Sequence, residues 1–172
     1  MKLEPLLQPL SDELPCGNDL KNTKDPDFVG VFLASSGRLP REYIRRGGIG
    51  GSASDVVDTP IDPTTIDFRG EARHLDGLLT RSRDLRFLTL RAQWAALAGN
   101  LKELVDAIAA CAALLETFGD RVPPFKADDR KRALAGLNNN HTMVLPLQFY
   151  DLTEANSVTL RRVRVAEDDT PG

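Results

Sequence analysis

Two cysteines and two histidines are the side chains of this 172-residue sequence best suited to nucleophilic, acid–base or metal chemistry. Cys16 stands between Pro15 and Gly17, a tight-turn sequence able to present a thiol, yet a nucleophilic cysteine needs a base and no histidine is near it in the chain. Cys111 sits among Ala109, Ala110, Ala112 and Ala113, where it acts as a small apolar residue. His74 has only Glu71 at helical spacing, whereas a zinc site wants further ligands on the same face. His141 follows Asn138, Asn139 and Asn140, where a local backbone hydrogen bond accounts for it. The segment from Arg45 to Ser52 is rich in glycine like a phosphate-binding loop. It lacks both the preceding apolar strand and the Gly-Lys-Ser/Thr ending that a nucleotide site uses. No carboxylate lies in an apolar run that would raise its pKa for general-acid work, and no cofactor fingerprint is present. The residues therefore point to a protein-binding module that is not an enzyme and holds no cofactor or metal. The alternative is a small-ligand, nucleotide-binding or enzymatic domain using Cys16 and the 45–52 loop.

Composition bounds the choice further. A hydrophobic fraction of 41% with 27% charged residues suits a globular domain with a core of its own, not a disordered chain. A formal net charge of −3 provides no strong field for nucleic acid or a membrane surface. The local basic clusters at Arg41, Arg45 and Arg46, at Arg130 to Arg132, and at Arg161 to Arg164 mostly have acids close by. With two cysteines there is no disulfide framework, which favours a reducing compartment. Pro5 and Pro9 interrupt the early leucines, so no signal peptide is read, and no apolar run approaches a membrane span. The expectation is a cytoplasmic protein without direct membrane insertion.

Local signals place these residues on a mainly helical scaffold. Residues 1–24 carry Pro5, Pro9, Pro15 and Gly17 and read as an irregular lead-in, tacked to the body by Leu3, Leu6, Leu7, Leu10, Leu14 and Leu20. Asp25 followed by Pro26 opens a first helix with Phe28, Val31, Phe32 and Ser35 on one face and Gly37 as its stop. A mobile loop spans 37–62. Asp62-Pro63 opens a second helix reaching about Arg81, and Asp84 caps a third that ends at Gly99 and is apolar around most of its circumference, leaving only Arg86, Thr89 and Gln93 as a polar stripe. Asn100 with Glu103 starts a fourth, whose predicted buried face is Leu101, Leu104, Val105, Ile108, Ala112 and Leu115, with Lys102, Glu103, Asp106 and Glu116 outward. The short Gly99-Asn100 link makes these two helices an antiparallel hairpin, the spine of the domain. A short helix from about Asp128 to Leu137 follows. The runs Val144 to Leu152 and Val158 to Val165 have β-branched or alternating character compatible with a hairpin. The fold class expected is all-α, an antiparallel bundle of about five to seven helices, with a small C-terminal β-hairpin as an option. The domain proper runs over 25–150, and 151–172 is a hairpin strand leading into a linker.

Three stretches together resemble a known family. Pro9-Leu10-Ser11, then Pro15-Cys16-Gly17-Asn18-Asp19-Leu20, then Asp25-Pro26-Asp27-Phe28 is similar to the "P-I-S…P-C-G-E-D-L…D-P-E-F" opening of the ImpA N-terminal domain, found in the TssA proteins of bacterial type VI secretion systems. Leu78-Leu79-Thr80-Arg81-Ser82-Arg83-Asp84-Leu85-Arg86 resembles the family's "L-L-x-x-S-K-D-L-R". The Gly99 to Leu115 helix and the Leu134 to Leu147 stretch are similar to "G-x-x-x-L…L-L" and "L-x-x-L-N…L-x-P-L". The resemblance covers about residues 6–150. Asn18 departs from the family's acid, Thr117 to Pro124 departs from its "Y-W-D…H-P", and the glycine-rich insert is longer.

The resemblance implies a cytoplasmic assembly module of the secretion machine, working with baseplate and tail-sheath or tube components. It also implies a variable C-terminal region beyond this chain through which the full-length protein forms homo-oligomers. Pro15, Cys16, Gly17, Asp19, Leu20, Asp84, Leu85 and Arg86 carry the motifs. Physically, Pro15-Cys16-Gly17 reads as a turn pinning the lead-in to the helices, and Arg86 as able to reach back to Asp19. Arg41, Arg45 and Arg46, in the loop, are the candidate partner-binding residues.

Overall fold

The computed structural model describes residues 1–45, 59–152 and 158–163. Arg46, most of the 45–52 run and the linker-like 167–172 lie outside the described residues.

The chain is mainly helical. Its first helix, α1 (residues 26–37), begins where Asp25 accepts the amide of Asp27 at 3.0 Å, and it contains a π-helical stretch over Phe28–Leu33 before the α-helical Ala34–Gly37. Two short strands follow, β1 (Ile44–Arg45) and β2 (Thr59–Pro60), antiparallel with Ile44 opposite Pro60. The single predicted helix from Asp62 to Arg81 is instead two elements. Asp62 caps only a 3₁₀ turn, Pro63–Thr65; the chain turns extended at Ile66, and Asp67 caps α2 (Phe68–Leu79) by accepting from Gly70 at 2.9 Å. Two consecutive capping aspartates supply two starts, and the β-branched run Thr64-Thr65-Ile66 does not bridge them.

The spine is α3 (Leu85–Leu97) against α4 (Leu101–Phe118). Gly99, at φ +64°, makes the left-handed link, and Asn100 caps α4 by accepting from Glu103 at 3.2 Å. All of α3 except Arg86 is buried. Its polar stripe is covered as well: Gln93 donates to the carbonyl of Gly136 at 3.2 Å and to Thr142 Oγ1 at 2.9 Å, which ties α3 to α5 (Ala127–Ala135) and to α6 (residues 140–148). Trp94 donates to Ser35 at 3.0 Å, and Ser35 donates to Glu71 at 2.5 Å, joining α3, α1 and α2 through buried polar contacts.

The face that α4 buries differs from the predicted one. Leu104, Ala107, Ala110, Cys111, Leu114 and Phe118 point inward, while Val105 and Ile108 stand 62% and 41% exposed. Small residues decide this: Ala107 lies in one cluster with Ala92, Ala95 and Ala96 of α3, and alanine on both sides lets the two backbones approach closely.

Among the described residues the C-terminal hairpin is reduced to one antiparallel bridge. Asn140–Val144 is a π-helical turn leading into α-helical Leu145–Gln148, with Pro146 where the helix changes from the wider to the narrower winding. Asp151 and Thr159 form a single bridge, and residues 160–163 are helical. Of the lead-in leucines, Leu6 and Leu20 are buried and Leu3 and Leu7 partly so, but Leu10 and Leu14 are exposed at 36% and 39%.

Candidate functional site

The motif residues from the two ends of the sequence resemblance converge on one junction, where the lead-in crosses the α2–α3 connection. The main chain makes the first contacts. The Arg83 amide donates to the Cys16 carbonyl at 2.7 Å, and Gly17 bridges Ser82 in antiparallel fashion. Gly17 has φ +74°, and a Cβ there would lie 2.3 Å from the Arg81 carbonyl oxygen. The Arg83 guanidinium, itself buried, donates to the Leu79 carbonyl and to the Pro5 carbonyl at 3.0 Å, so the connection holds the lead-in at a second point.

Side chains complete the junction. Asp84 is fully buried and caps α3, accepting the Arg86 amide at 2.8 Å and its Nε at 2.9 Å. Arg86 then reaches Asp19 at 2.5 Å, and Asp19 also accepts the amides of Lys21 and Asn22 at 3.0 and 3.3 Å. The guanidinium lies 4.9 Å from the centre of the Phe28 ring, which packs with Phe32 and Phe87. Burial pushes the Asp84 carboxyl up, against Arg86 pulling it down. Both of its oxygens only accept hydrogen bonds, the arrangement of an ionised group. Desolvation pulls Arg86 down, but its hydrogen bonds and charges with Asp84 and Asp19 outweigh it and hold the guanidinium protonated. Leu20 and Leu85 are buried beside these charges. Pro15 is buried too.

None of this geometry equips Cys16 as a nucleophile. Burial raises its thiol to about 11, against the lowering effects of Arg83 and Arg121, and Cys111 is pushed up to about 12 by burial. In the native protein neither of the two cysteines should react with a disulfide reagent at pH 8 on the timescale of a free thiol, and both should react after denaturation; rapid native labelling of Cys16 would restore the nucleophile reading. Glu71, the one helical neighbour that could have joined His74 in a metal site, is engaged by Ser35 and Arg38, and His74 is exposed. Among the described residues no group of three His, Cys, Asp or Glu side chains could hold a metal ion. His141 uses its amide to bond Asn139 at 2.9 Å, the local contact expected of it.

The candidate partner-binding arginines sit elsewhere. Arg41 and Arg45 are exposed and flank Tyr43, which is buried. Tyr43 lines a cavity of about 600 Å³ with Pro63, Pro146, Phe149, Tyr150 and Leu152, and its ring packs on Phe149 at 6.0 Å. Sequence reasoning missed this aromatic groove, whose parts come from residues far apart in the chain. The signal available was the concentration of Pro146, Phe149 and Tyr150, which the strand reading absorbed. It also missed Arg91, a buried cation on α3 that pairs with Asp76 at 2.6 Å and Glu103 at 2.9 Å.

The family model for ImpA, N-terminal, type VI secretion system matches residues 7–139. The chain belongs to this ImpA N-terminal family. No curated protein and no solved structure matches the chain. The match takes in the whole junction, from Pro15 through Arg86, together with α1 to α5, so the type VI secretion domain is the helical body described above. None of its described helices is long and apolar enough to cross a membrane.

Proposed function

We propose that this ImpA N-terminal domain is a non-enzymatic protein-interaction and assembly module, the N-terminal part of a TssA-like protein acting in the cytoplasm during baseplate and tail-sheath assembly. Its partners are other type VI secretion proteins, and the full-length protein self-assembles. The observation that carries the reading is how the motif residues are used. Cys16, Asp19, Asp84 and Arg86 carry the residue types of chemistry, yet each is committed to holding the lead-in on the helices, with Cys16 and Asp84 fully buried. A site of catalysis leaves its groups poised towards a substrate; here Cys16, Asp19 and Asp84 are turned inward, and Arg86, which borders a cavity, is spent on the two carboxylates.

The surface best suited to a partner is the aromatic groove lined by Tyr43, whose neighbours in the chain, Arg41 and Arg45, are exposed. Tyrosine and arginine are the residue types that dominate binding energy at protein interfaces, and a loop on a rigid scaffold is a common place for recognition. Arg46 belongs to the same proposal by its place in the sequence. The test is affinity co-purification of the full-length protein from its host, with baseplate and sheath proteins expected among those recovered. Arg41→Glu with Arg45→Glu should cut that recovery at least tenfold while leaving the melting temperature within about 2 °C, as exposed substitutions do. Recovery of no secretion component, or full recovery by the double variant, counts against the function or the surface respectively.

A further inference from the structure

The outer face of α4 carries apolar residues at Leu101, Val105, Ile108, Ala112 and Leu115, a spacing of four, three, four and three residues. That is the heptad spacing of a coiled-coil seam, with Val105 and Ala112 at one core position and Ile108 and Leu115 at the other. Val105 is 62% and Ile108 41% exposed, and Ala109, Ala112 and Glu116 are exposed too, while Leu101 and Leu115 are half-buried at its margin. The helix's own domain therefore uses the opposite, alanine-rich face and leaves the seam open.

We propose that a second copy of this chain packs on this seam, the two α4 helices antiparallel about a two-fold axis at Ala109. The occupant follows from the seam's self-complementarity. Lys102 and Glu116 each stand seven residues from Ala109, on opposite sides. Antiparallel pairing about that centre sets Lys102 against the partner's Glu116 at both ends and Ala109 against the partner's Ala109 in the middle. The core layers of an antiparallel pair are offset by two residues from its flanking pairs, so with Lys102, Ala109 and Glu116 as flanking residues Ile108 meets the partner's Ala112 and Val105 the partner's Leu115, and larger side chains meet smaller ones. A two-fold interface needs one patch that matches itself, and opposite charges equally spaced about a small central residue supply that match. A parallel arrangement would instead set these flanking residues against the positions of Leu104 and Cys111, which are apolar and buried in their own domain and offer Lys102 and Glu116 no opposite charge. Lys102, 79% exposed, now donates to Asp106 within its own helix and keeps further N–H groups for a second acceptor. One 18-residue helix pair makes a small interface, so the dimer belongs to the weak, concentration-dependent class.

The test is sedimentation velocity of the whole chain at low salt, over concentrations from about 1 µM to 1 mM, the range in which weak interfaces titrate. The native protein should pass from monomer to dimer. Ile108→Glu should weaken association at least tenfold. Lys102→Glu and Glu116→Lys should each weaken it severalfold, and the two together should restore it to within about twofold of the native value, because the swap preserves opposite charges. An Ala109→Cys variant should form a disulfide-linked dimer on oxidation faster than Ala127→Cys, an exposed site on α5, the native cysteines being buried. A native protein that stays monomeric throughout, a dimer indifferent to Ile108→Glu, or a charge swap that fails to restore association overturns the proposal. None of these outcomes touches the Arg41 and Arg45 surface, so the two can fail separately.

Discussion

Arg86→Ala should destabilise the domain by about 3–5 kcal/mol, the usual cost of stranding buried carboxylates without their cation. Two acids lose their partner at once, since Arg86 bonds both Asp84, which is fully buried, and Asp19, which is 4% exposed. Its stacking on Phe28 goes too. For a chain of this length the loss corresponds to a fall in melting temperature on the order of 10 °C. Arg86→Lys should recover part of the loss, because an ammonium keeps the charge but cannot fork between two carboxylates. The discriminating measurement is a double-mutant cycle. In an Asp19→Asn background Arg86→Ala should cost about 1–3 kcal/mol less than in the native one, the coupling expected of groups in direct contact. An unchanged melt for Arg86→Ala would show the pair to be ornamental, and additive losses would place the energy in Arg86 packing instead.

That contact was legible before any coordinates because its two halves obey local rules. Asp84 precedes an apolar helix and caps it, and Arg86 two residues on pairs with that buried carboxylate and keeps donors for a second acid from elsewhere. The burial of α3 was legible for a similar reason, since a helix apolar on nearly every side has nowhere to go but the centre. The outward face of α4 was not legible from size alone. Its sequence holds two stripes, a bulky one through Val105 and Ile108 and a small one through Ala107, Ala110 and Cys111. Hydrophobicity selects the first, but the fit between two closely approaching backbones selects the second, and that fit depends on the alanines of another helix. Arg91 escaped for the same reason in reverse: its acids, Asp76 and Glu103, lie on neighbouring helices, and nothing in the local sequence announces them. The misread strand at 144–152 shows a run of apolar and aromatic residues opened by Val144 giving way to helical capping and packing, with Asn139 accepting the amides of His141 and Thr142 to start α6.

The junction also sets what kind of module the domain can be. Lead-in and helices are joined by main-chain bonds at Cys16 and Gly17 and by the charge cluster at Asp19, Asp84 and Arg86, so the first two dozen residues move with the helical body. Any partner surface built on that body is then presented in a fixed orientation, which the proposed assembly role requires.

Gly17→Ala should be the most damaging conservative change at that junction, costing about 3 kcal/mol or detaching the lead-in. A left-handed backbone already costs a residue with a Cβ about 1–2 kcal/mol, and Gly17 stands at φ +74°. The added carbon would also meet the Arg81 carbonyl oxygen at 2.3 Å and Leu10 Cδ1 at 3.0 Å. The leucine can swing away, but the carbonyl is main chain in the α2–α3 connection, and moving it pulls on the Arg83 amide bonded to Cys16 at 2.7 Å. Relief therefore comes from opening the junction, and the expected signature is regional. Amides between Leu10 and Leu20, and the Arg83 amide, should exchange faster, and proteolysis should begin in residues 1–24, while α3 and α4 keep their protection. Gly77→Ala provides the control: Gly77 lies within α2 with nothing within 4 Å of its added carbon, so the change should be neutral or stabilising by up to about 1 kcal/mol. Equal effects at the two positions would mean that the bridge between Gly17 and Ser82 does not hold the lead-in, and that the Arg86 cluster does so alone.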